Sequence, residues 1–165
     1  ASKLATSSSE RSEVEEDVNE KNAGIVRDLY DALALGDAKT VHRILAPDLE
    51  WWFHGPPHCQ HLMRFLAGLS ARKRLLFSPQ SVTPLGNRVF VEGLEVESQY
   101  WVHVWTVENG LVTQLREYFN TSLFVAEFKL NSSSISTSSS GGFPVWQSCL
   151  CLSDENSMPA LLLAI

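Results

Sequence analysis

The sequence predicts an α+β domain in which helices come first and an antiparallel sheet follows. Residues 86–120 read as three successive β-strands, two of which meet at Asn109-Gly110. Asn-Gly between two alternating apolar runs is the strongest short hairpin signal that a sequence offers. The chain before this stretch carries apolar residues at helical spacing instead. Helices gathered before hairpin-linked strands are typical of the α+β class.

Two helices are predicted near the start of the ordered chain. Asn22 is expected to cap the first helix, and Gly36 suits its C-terminal end. Asp37 then caps a second helix, which Pro47 stops. Helices joined this tightly form an antiparallel or V-shaped pair.

The predicted strands follow in order. A short aromatic strand occupies Leu49–His54. After a third helix comes an irregular strand at Leu75–Pro84, whose prolines place it at an edge or at a bulge. The sheet is completed by Arg88–Val96, Tyr100–Val107 and Leu111–Phe119.

Composition divides the chain into four segments. Residues 1–21 are Ser-rich and acidic, which predicts a disordered arm before a domain at residues 22–129. Residues 130–142 are a Ser/Gly-rich linker, and the apolar extension at residues 143–165 is expected to dock on the domain or on a partner.

Charge and hydropathy exclude several classes of protein. The formal net charge of −6 lies mostly in the first 20 residues, so no basic face is available for nucleic acid. No stretch reaches the roughly 20 apolar residues of a membrane span. The N-terminus lacks the apolar run of a secretory signal, which favours the cytoplasm. The chain begins with Ala, which leaves a trimmed leader open.

Four strings of residues carry a resemblance to a known family. Ile25–Leu35, Val41–Pro56, Arg116–Leu123 and Met158–Ile165 closely resemble the plant wound-induced protein family. More distantly, the chain is similar to the nuclear transport factor 2-like superfamily, with its SnoaL-like polyketide-cyclase and epoxide-hydrolase-like members. The resemblance implies a stress-response context and a cone, in which a curved sheet wraps around a long first helix. It also implies an internal cavity and, often, a homodimer formed through the outer face of the sheet.

Strand alternation selects the candidate ligand pocket. Side chains 112, 114, 116, 118 and 120 are predicted to share one face of the last strand. Apolar walls with a few polar groups are the usual composition of a small-molecule site. We therefore predict a pocket for a small apolar or aromatic metabolite, formed by Trp52, His54, Arg116, Tyr118 and Asn120.

The resemblance also bears on catalysis. In superfamily enzymes the position matching Asn120 is typically an Asp that acts as general base, and a carboxamide cannot accept that proton. Where epoxide-hydrolase-like enzymes carry an Arg and an Asp, this sequence has Gly93 and Glu95. The prediction is a pocket without the usual catalysis, with Glu95 as the candidate acid.

Two alternatives stay open at this point. One is an active hydrolase, isomerase or cyclase that uses Glu95, His54 and Tyr118 in place of the lost base. The other is a dimeric protein-interaction module. His103 lies between Trp101 and Trp105 in the alternation, which is typical of a core or interface histidine, and Glu92 is expected to face solvent or a dimer partner.

A cluster of potential metal ligands begins at the end of the first predicted strand. His54, His58, Cys59 and His61 crowd into eight residues, and a His-x-x-His pair can ligate zinc. No second motif supplies the remaining ligands, and no glycine-rich phosphate loop is present. The sequence predicts neither a metal nor a cofactor.

Overall fold

The structure, a computed structural model, describes residues 3–71, 73–75, 77–95, 99–119, 125–127, 145–147 and 162–164. The chain divides into two compact units, Ala1–Asn120 and Thr121–Ile165. The candidate site lies in the first unit.

The first unit contains three helices and five strands. The helices are α1 (Lys3–Leu35), α2 (Ala38–Ile44) and α3 (His61–Leu66), with a 3₁₀ turn at Pro57–Cys59 before α3. The strands are β1 (Leu45–His54), β2 (Pro79–Leu85), β3 (Arg88–Glu95), β4 (Gln99–Glu108) and β5 (Leu111–Phe119). The three strands predicted within residues 86–120 are confirmed, with ends that differ by at most one residue.

The five strands form one sheet in the order β1-β5-β4-β3-β2. The sheet is antiparallel from β2 through β5, whereas β1 joins β5 in parallel. A parallel neighbour needs a long connection, and the chain between β1 and β5 supplies one. The predicted edge position of the proline-containing strand is confirmed, since β2 is an end strand.

The hairpin between β4 and β5 sets which residues face each other. Asn109 and Gly110 both have positive φ, 52° and 81°, as a two-residue hairpin turn of this kind requires. The register then shifts: Val107 pairs with Val112, but Thr106 pairs with Gln114. The extra residue is a β-bulge, and beyond it His103 lies opposite Glu117.

The bulge also divides the two faces of β5. Val112 belongs to the buried core, on the same side as Leu115 and Phe119, so its predicted place beside Gln114 is corrected. From Gln114 to Tyr118 the predicted alternation holds, because the pairing is regular there. We call the face that packs on α1 the inner face and the opposite one the outer face.

Helix α1 begins at Lys3 and not at Asn22, so residues 3–21 are helical where a disordered arm was predicted. Asn19 and Asn22 explain part of this extension. Their side chains hold the turn before β3: the Gly86 N–H donates to Asn19 Oδ1 at 2.9 Å, and Asn22 Nδ2 donates to the Gly86 carbonyl at 3.0 Å. Contacts with the sheet stabilise a helix whose composition resembles that of a disordered segment.

The predicted junction between the first two helices is confirmed. Gly36 ends α1 with φ +71°, and the Asp37 N–H donates to the Ala32 carbonyl at 2.9 Å in a Schellman motif. Asp37 caps α2, because its carboxylate accepts from the Thr40 N–H at 3.1 Å. That hydrogen bond lowers the pKa of the Asp37 carboxyl.

The second unit contains a sheet of three short strands, β6 (Val125–Glu127), β7 (Val145–Gln147) and β8 (Leu162–Ala164), in the order β6-β8-β7. The predicted linker at residues 130–142 lies outside the described residues. The apolar extension is described only at β7 and β8, so its docking and the predicted domain boundaries stay predictions.

Candidate functional site

Four of the five predicted pocket residues come together on the outer face. Trp52 is registered with Arg116 and His54 with Tyr118, across the parallel pair β1–β5. Asn120 lies outside the described residues. The resemblance implied a hollow inside the cone, but these four side chains lie on the sheet face opposite α1. We call Trp52, His54, Arg116 and Tyr118 the outer-face cluster.

The outer-face cluster is built from two aromatic contacts. The Arg116 guanidinium carbon lies 5.5 Å from the centroid of the Trp52 ring, within cation–π range. The His54 and Tyr118 rings stack with centroids 4.8 Å apart and planes 9° from parallel. Trp52 is 52% exposed, whereas Tyr118 is buried. One large aromatic face is therefore presented to solvent on a rigid strand.

Electrostatics keep two of the four groups neutral. Burial, and then the nearby Arg116 charge, lower the pKa of His54. Burial raises the pKa of the Tyr118 phenol, although the Arg116 charge and a hydrogen bond from Arg116 oppose that shift. Arg116 itself stays cationic, since arginine is not deprotonated in proteins. The cluster combines one cation with a neutral imidazole and a neutral phenol.

Two of the three residues of the enzyme alternative, His54 and Tyr118, are in contact on the outer face. The side chain of the third, Glu95, lies outside the described part of the structure, so this alternative stays a prediction. A steric restriction explains why position 93 is a glycine. A Cβ at this position would lie 2.5 Å from Trp101 Cζ2 and 2.5 Å from the Ser78 carbonyl oxygen. The indole of Trp101 leaves no space for an arginine at position 93.

A polar network that the sequence analysis missed lies on the inner face. The Trp105 Nε1–H donates to the Tyr30 hydroxyl at 2.9 Å, and that hydroxyl lies 2.6 Å from His103 Nδ1. His103 Nε2 lies 2.6 Å from Glu117 Oε2. We call Tyr30, His103, Trp105 and Glu117 the inner network.

One assignment of hydrogens satisfies every contact in the inner network. Tyr30 accepts from Trp105 and donates to His103 Nδ1, and His103 Nε2–H donates to the Glu117 carboxylate. Burial, reinforced by the Glu117 charge, raises the pKa of the Tyr30 phenol well above its usual value, although the Trp105 hydrogen bond opposes the shift. The four side chains are at most 5% exposed. The network therefore ties α1 to the sheet.

The structure decides two further predictions about polar residues. His103 is a buried core residue, as predicted. The expectation that Glu92 faces solvent or a dimer partner is wrong, because Glu92 is fully buried within one chain. The Tyr100 hydroxyl donates to Glu92 Oε2 at 3.0 Å, which gives the buried carboxylate a hydrogen-bond partner.

The described residues show neither a cluster of metal ligands nor a membrane-spanning helix. Among the described residues, no group of three or more His, Cys, Asp or Glu side chains is placed to share a metal ion. Within the same part of the chain, no helix combines the length and the apolar character needed to cross a bilayer.

The α+β fold class predicted from the sequence is confirmed, with helices packed on a five-stranded sheet. The structure is similar to Bal32a from a soil-derived mobile gene cassette, with 21% identity and a TM-score of 0.51, over 61% of this chain and 90% of that chain. It is also similar to an NTF2-like protein from Burkholderia xenovorans, with 28% identity and a TM-score of 0.49, over 61% of this chain and 90% of that chain.

Sequence comparison identifies the family. Wound-induced protein 1 from Solanum tuberosum is 44% identical over 91 residues, which are 54% of this chain and 85% of that protein. A family model described as wound-induced protein WI12 matches residues 63–165, more than half of the chain. The chain belongs to the WI12 family of wound-induced plant proteins.

Proposed function

We propose that this chain binds a small apolar or aromatic metabolite at the outer-face cluster during the plant wound response, without the acid–base turnover usual in its superfamily. The observation that carries the proposal is the half-exposed Trp52 ring. Arg116 lies against this ring, and the His54–Tyr118 stack lies next to it.

The cluster has the chemistry that a planar ligand needs. A ring stacked on Trp52 removes apolar surface from water and gains about 0.5–1.5 kcal/mol from the aromatic contact. The neutral imidazole of His54, which is partly exposed, can orient a polar substituent by hydrogen bonding. Asn120 belongs to the pocket predicted from the sequence, and its amide would orient a ligand but accept no proton.

The test uses N-phenyl-1-naphthylamine, an uncharged aromatic probe whose fluorescence rises on binding. Trp52→Ala is expected to raise the Kd of the probe by about tenfold or more, because the contact surface is lost. Leu35→Ala removes another highly exposed apolar side chain (79% exposed) and is expected to leave the Kd unchanged. Equal affinities in all three proteins would contradict the proposal.

A second candidate function rests on the inner network. A hydroxyl 2.6 Å from an imidazole that a carboxylate orients has the arrangement of an acid–base catalyst. This candidate requires an opening, because the network side chains are at most 5% exposed. Turnover of an epoxide or ketone by the unmodified protein, lost in a folded Glu117→Gln variant, would support it and overturn the non-catalytic proposal.

A homodimer through the sheet face is an alternative proposal for the same surface, because a partner chain and a ligand would compete for the Trp52 ring. Phe90, Glu92, Val102 and Val104 are at most 1% exposed within one chain, so the half-exposed Trp52 region is the proposed contact. Light scattering of the unmodified protein and of Trp52→Glu tests it, since a dimer in both would exclude this contact.

A cytoplasmic location is proposed as well, and imaging a fluorescent fusion tests it.

A further inference from the structure

We propose a second binding site, for a small organic anion with an apolar body, in the depression beside α3. It is independent of the outer-face cluster and goes beyond the function proposed above. The depression has a volume of about 280 Å³. Its described lining combines basic, polar and apolar side chains: His61, Arg64, Leu69, Ser70, Ala71 and Leu75.

The backbone around the depression is fixed by the end of α3. Gly68 has φ +69°, and its N–H donates to the Phe65 carbonyl at 3.0 Å. The Leu69 N–H donates to the Arg64 carbonyl at 2.8 Å. These two bonds form a Schellman motif, which turns the chain back beside α3. The wall formed by residues 69–71 is therefore held beside Arg64 by backbone hydrogen bonds.

The charge of the depression is positive. Arg64 and His61 lie three residues apart on α3 and therefore on one side of the helix. Within the described residues, the Arg64 guanidinium has no hydrogen bond or ion pair, and no described lining residue is acidic. Lys73 and Arg74 are exposed and follow the lining residue Ala71 closely in the chain. A guanidinium in this position suits a carboxylate, which it can bind through two N–H groups.

The apolar part of the lining limits the ligand further. Leu75 is buried, whereas Leu69 is 74% exposed at the depression, one of the most exposed large apolar side chains described. The volume lies just under the roughly 300 Å³ at which ordinary small-molecule sites begin. This size fits a single ring or a short chain. Leu69 would cover the apolar body of the ligand while Arg64 binds its charged group.

Benzoate is the probe, and two-dimensional NMR of the ¹⁵N-labelled chain is the measurement. Saturable shifts of the Ala71 amide and the Arg64 Nε–H are expected. Benzamide, which has the same ring without the charge, is expected to bind about tenfold more weakly or worse. Inorganic phosphate, which lacks an apolar body, is also expected to bind more weakly than benzoate.

Arg64→Met keeps the aliphatic stem of the side chain and removes the charge. This variant is expected to weaken benzoate binding at Ala71 by about tenfold or more. Arg43→Met, at an exposed position on α2, is the matched control and should change nothing. Trp52→Ala should also leave the Ala71 shifts intact, which separates this site from the outer-face cluster. Shifts that do not saturate, or that are equal in Arg64→Met, would overturn the proposal.

Discussion

Tyr30 connects three elements through one hydroxyl group. The hydroxyl oxygen accepts a hydrogen bond from Trp105 on β4, and the O–H donates to His103. His103 in turn donates a hydrogen bond to Glu117 on β5. The sequence pattern alone does not pair His103 with Glu117. With Glu108 opposite Leu111, an uninterrupted hairpin would pair His103 with Arg116, and the bulge shifts this pairing by one residue. Sequence patterns indicated the turn but not the bulge.

Tyr30→Phe tests the inner network at the scale of a residue. It leaves the Trp105 N–H and His103 Nδ1 buried without a partner, so the free energy of unfolding should fall by roughly 2–4 kcal/mol. Urea denaturation measures this fall. Tyr100→Phe, which removes the hydrogen bond to Glu92, is the comparison variant for a buried tyrosine outside the inner network.

The same variant makes a prediction about alkaline pH. The pKa of Tyr30 is raised in the folded protein, chiefly by burial, so its stabilising contribution is complete below the unfolded value of about 10 and is lost as pH rises through the folded value. The unmodified protein should therefore lose more stability than Tyr30→Phe between about pH 9 and pH 11. Identical slopes in the two proteins would contradict this account.

His54 offers a test within the outer-face cluster. Burial and the Arg116 charge both lower its pKa, so Arg116→Met should raise that pKa without restoring its ordinary value of about 6.5. NMR titration of the His54 ring gives the value directly. Arg43→Met serves as the control, and a His54 pKa that is unchanged by Arg116→Met would remove Arg116 as a cause.

At the scale of elements, the sequence predicts correctly those features that depend only on residues close together in the chain. The Asp37 cap, the Gly36 helix end and the Asn109-Gly110 turn each depend on neighbouring residues and were all predicted. The parallel pairing of β1 with β5 was not predicted, because it joins distant parts of the chain. Nor was the helix over residues 3–21, whose contacts with Gly86 are also distant in sequence.

Replacement by alanine is expected to have opposite effects at Gly24, inside α1, and at Gly36, at the end of α1. Gly36→Ala should lower the free energy of unfolding by at least about 1–2 kcal/mol, since φ is +71° and the new Cβ would lie 2.5 Å from the Lys73 carbonyl oxygen. Gly24→Ala, inside the helix with no atom within 4 Å of the new Cβ, should raise it by about 0.5–1 kcal/mol. Thermal and urea unfolding of both variants check the signs.

For the molecule as a whole, the two faces of the first unit's sheet differ in what they offer a ligand. The inner face carries a core of buried aromatic side chains and the buried inner network, whereas the outer face presents the half-exposed Trp52. The sequence predicted which residues cluster but not on which face. Alternation along a strand groups side chains without indicating which group packs on the helix.

The central claim is that a small molecule binds at the outer-face cluster. Native mass spectrometry of the protein after incubation with a plant leaf extract tests it most directly. We predict a retained small-molecule adduct on Arg64→Met, which lacks the site beside α3, and on Arg64→Met combined with Leu35→Ala. The adduct should be lost on Arg64→Met combined with Trp52→Ala. An adduct that survives Trp52→Ala in this background, or no adduct on Arg64→Met, would contradict the claim.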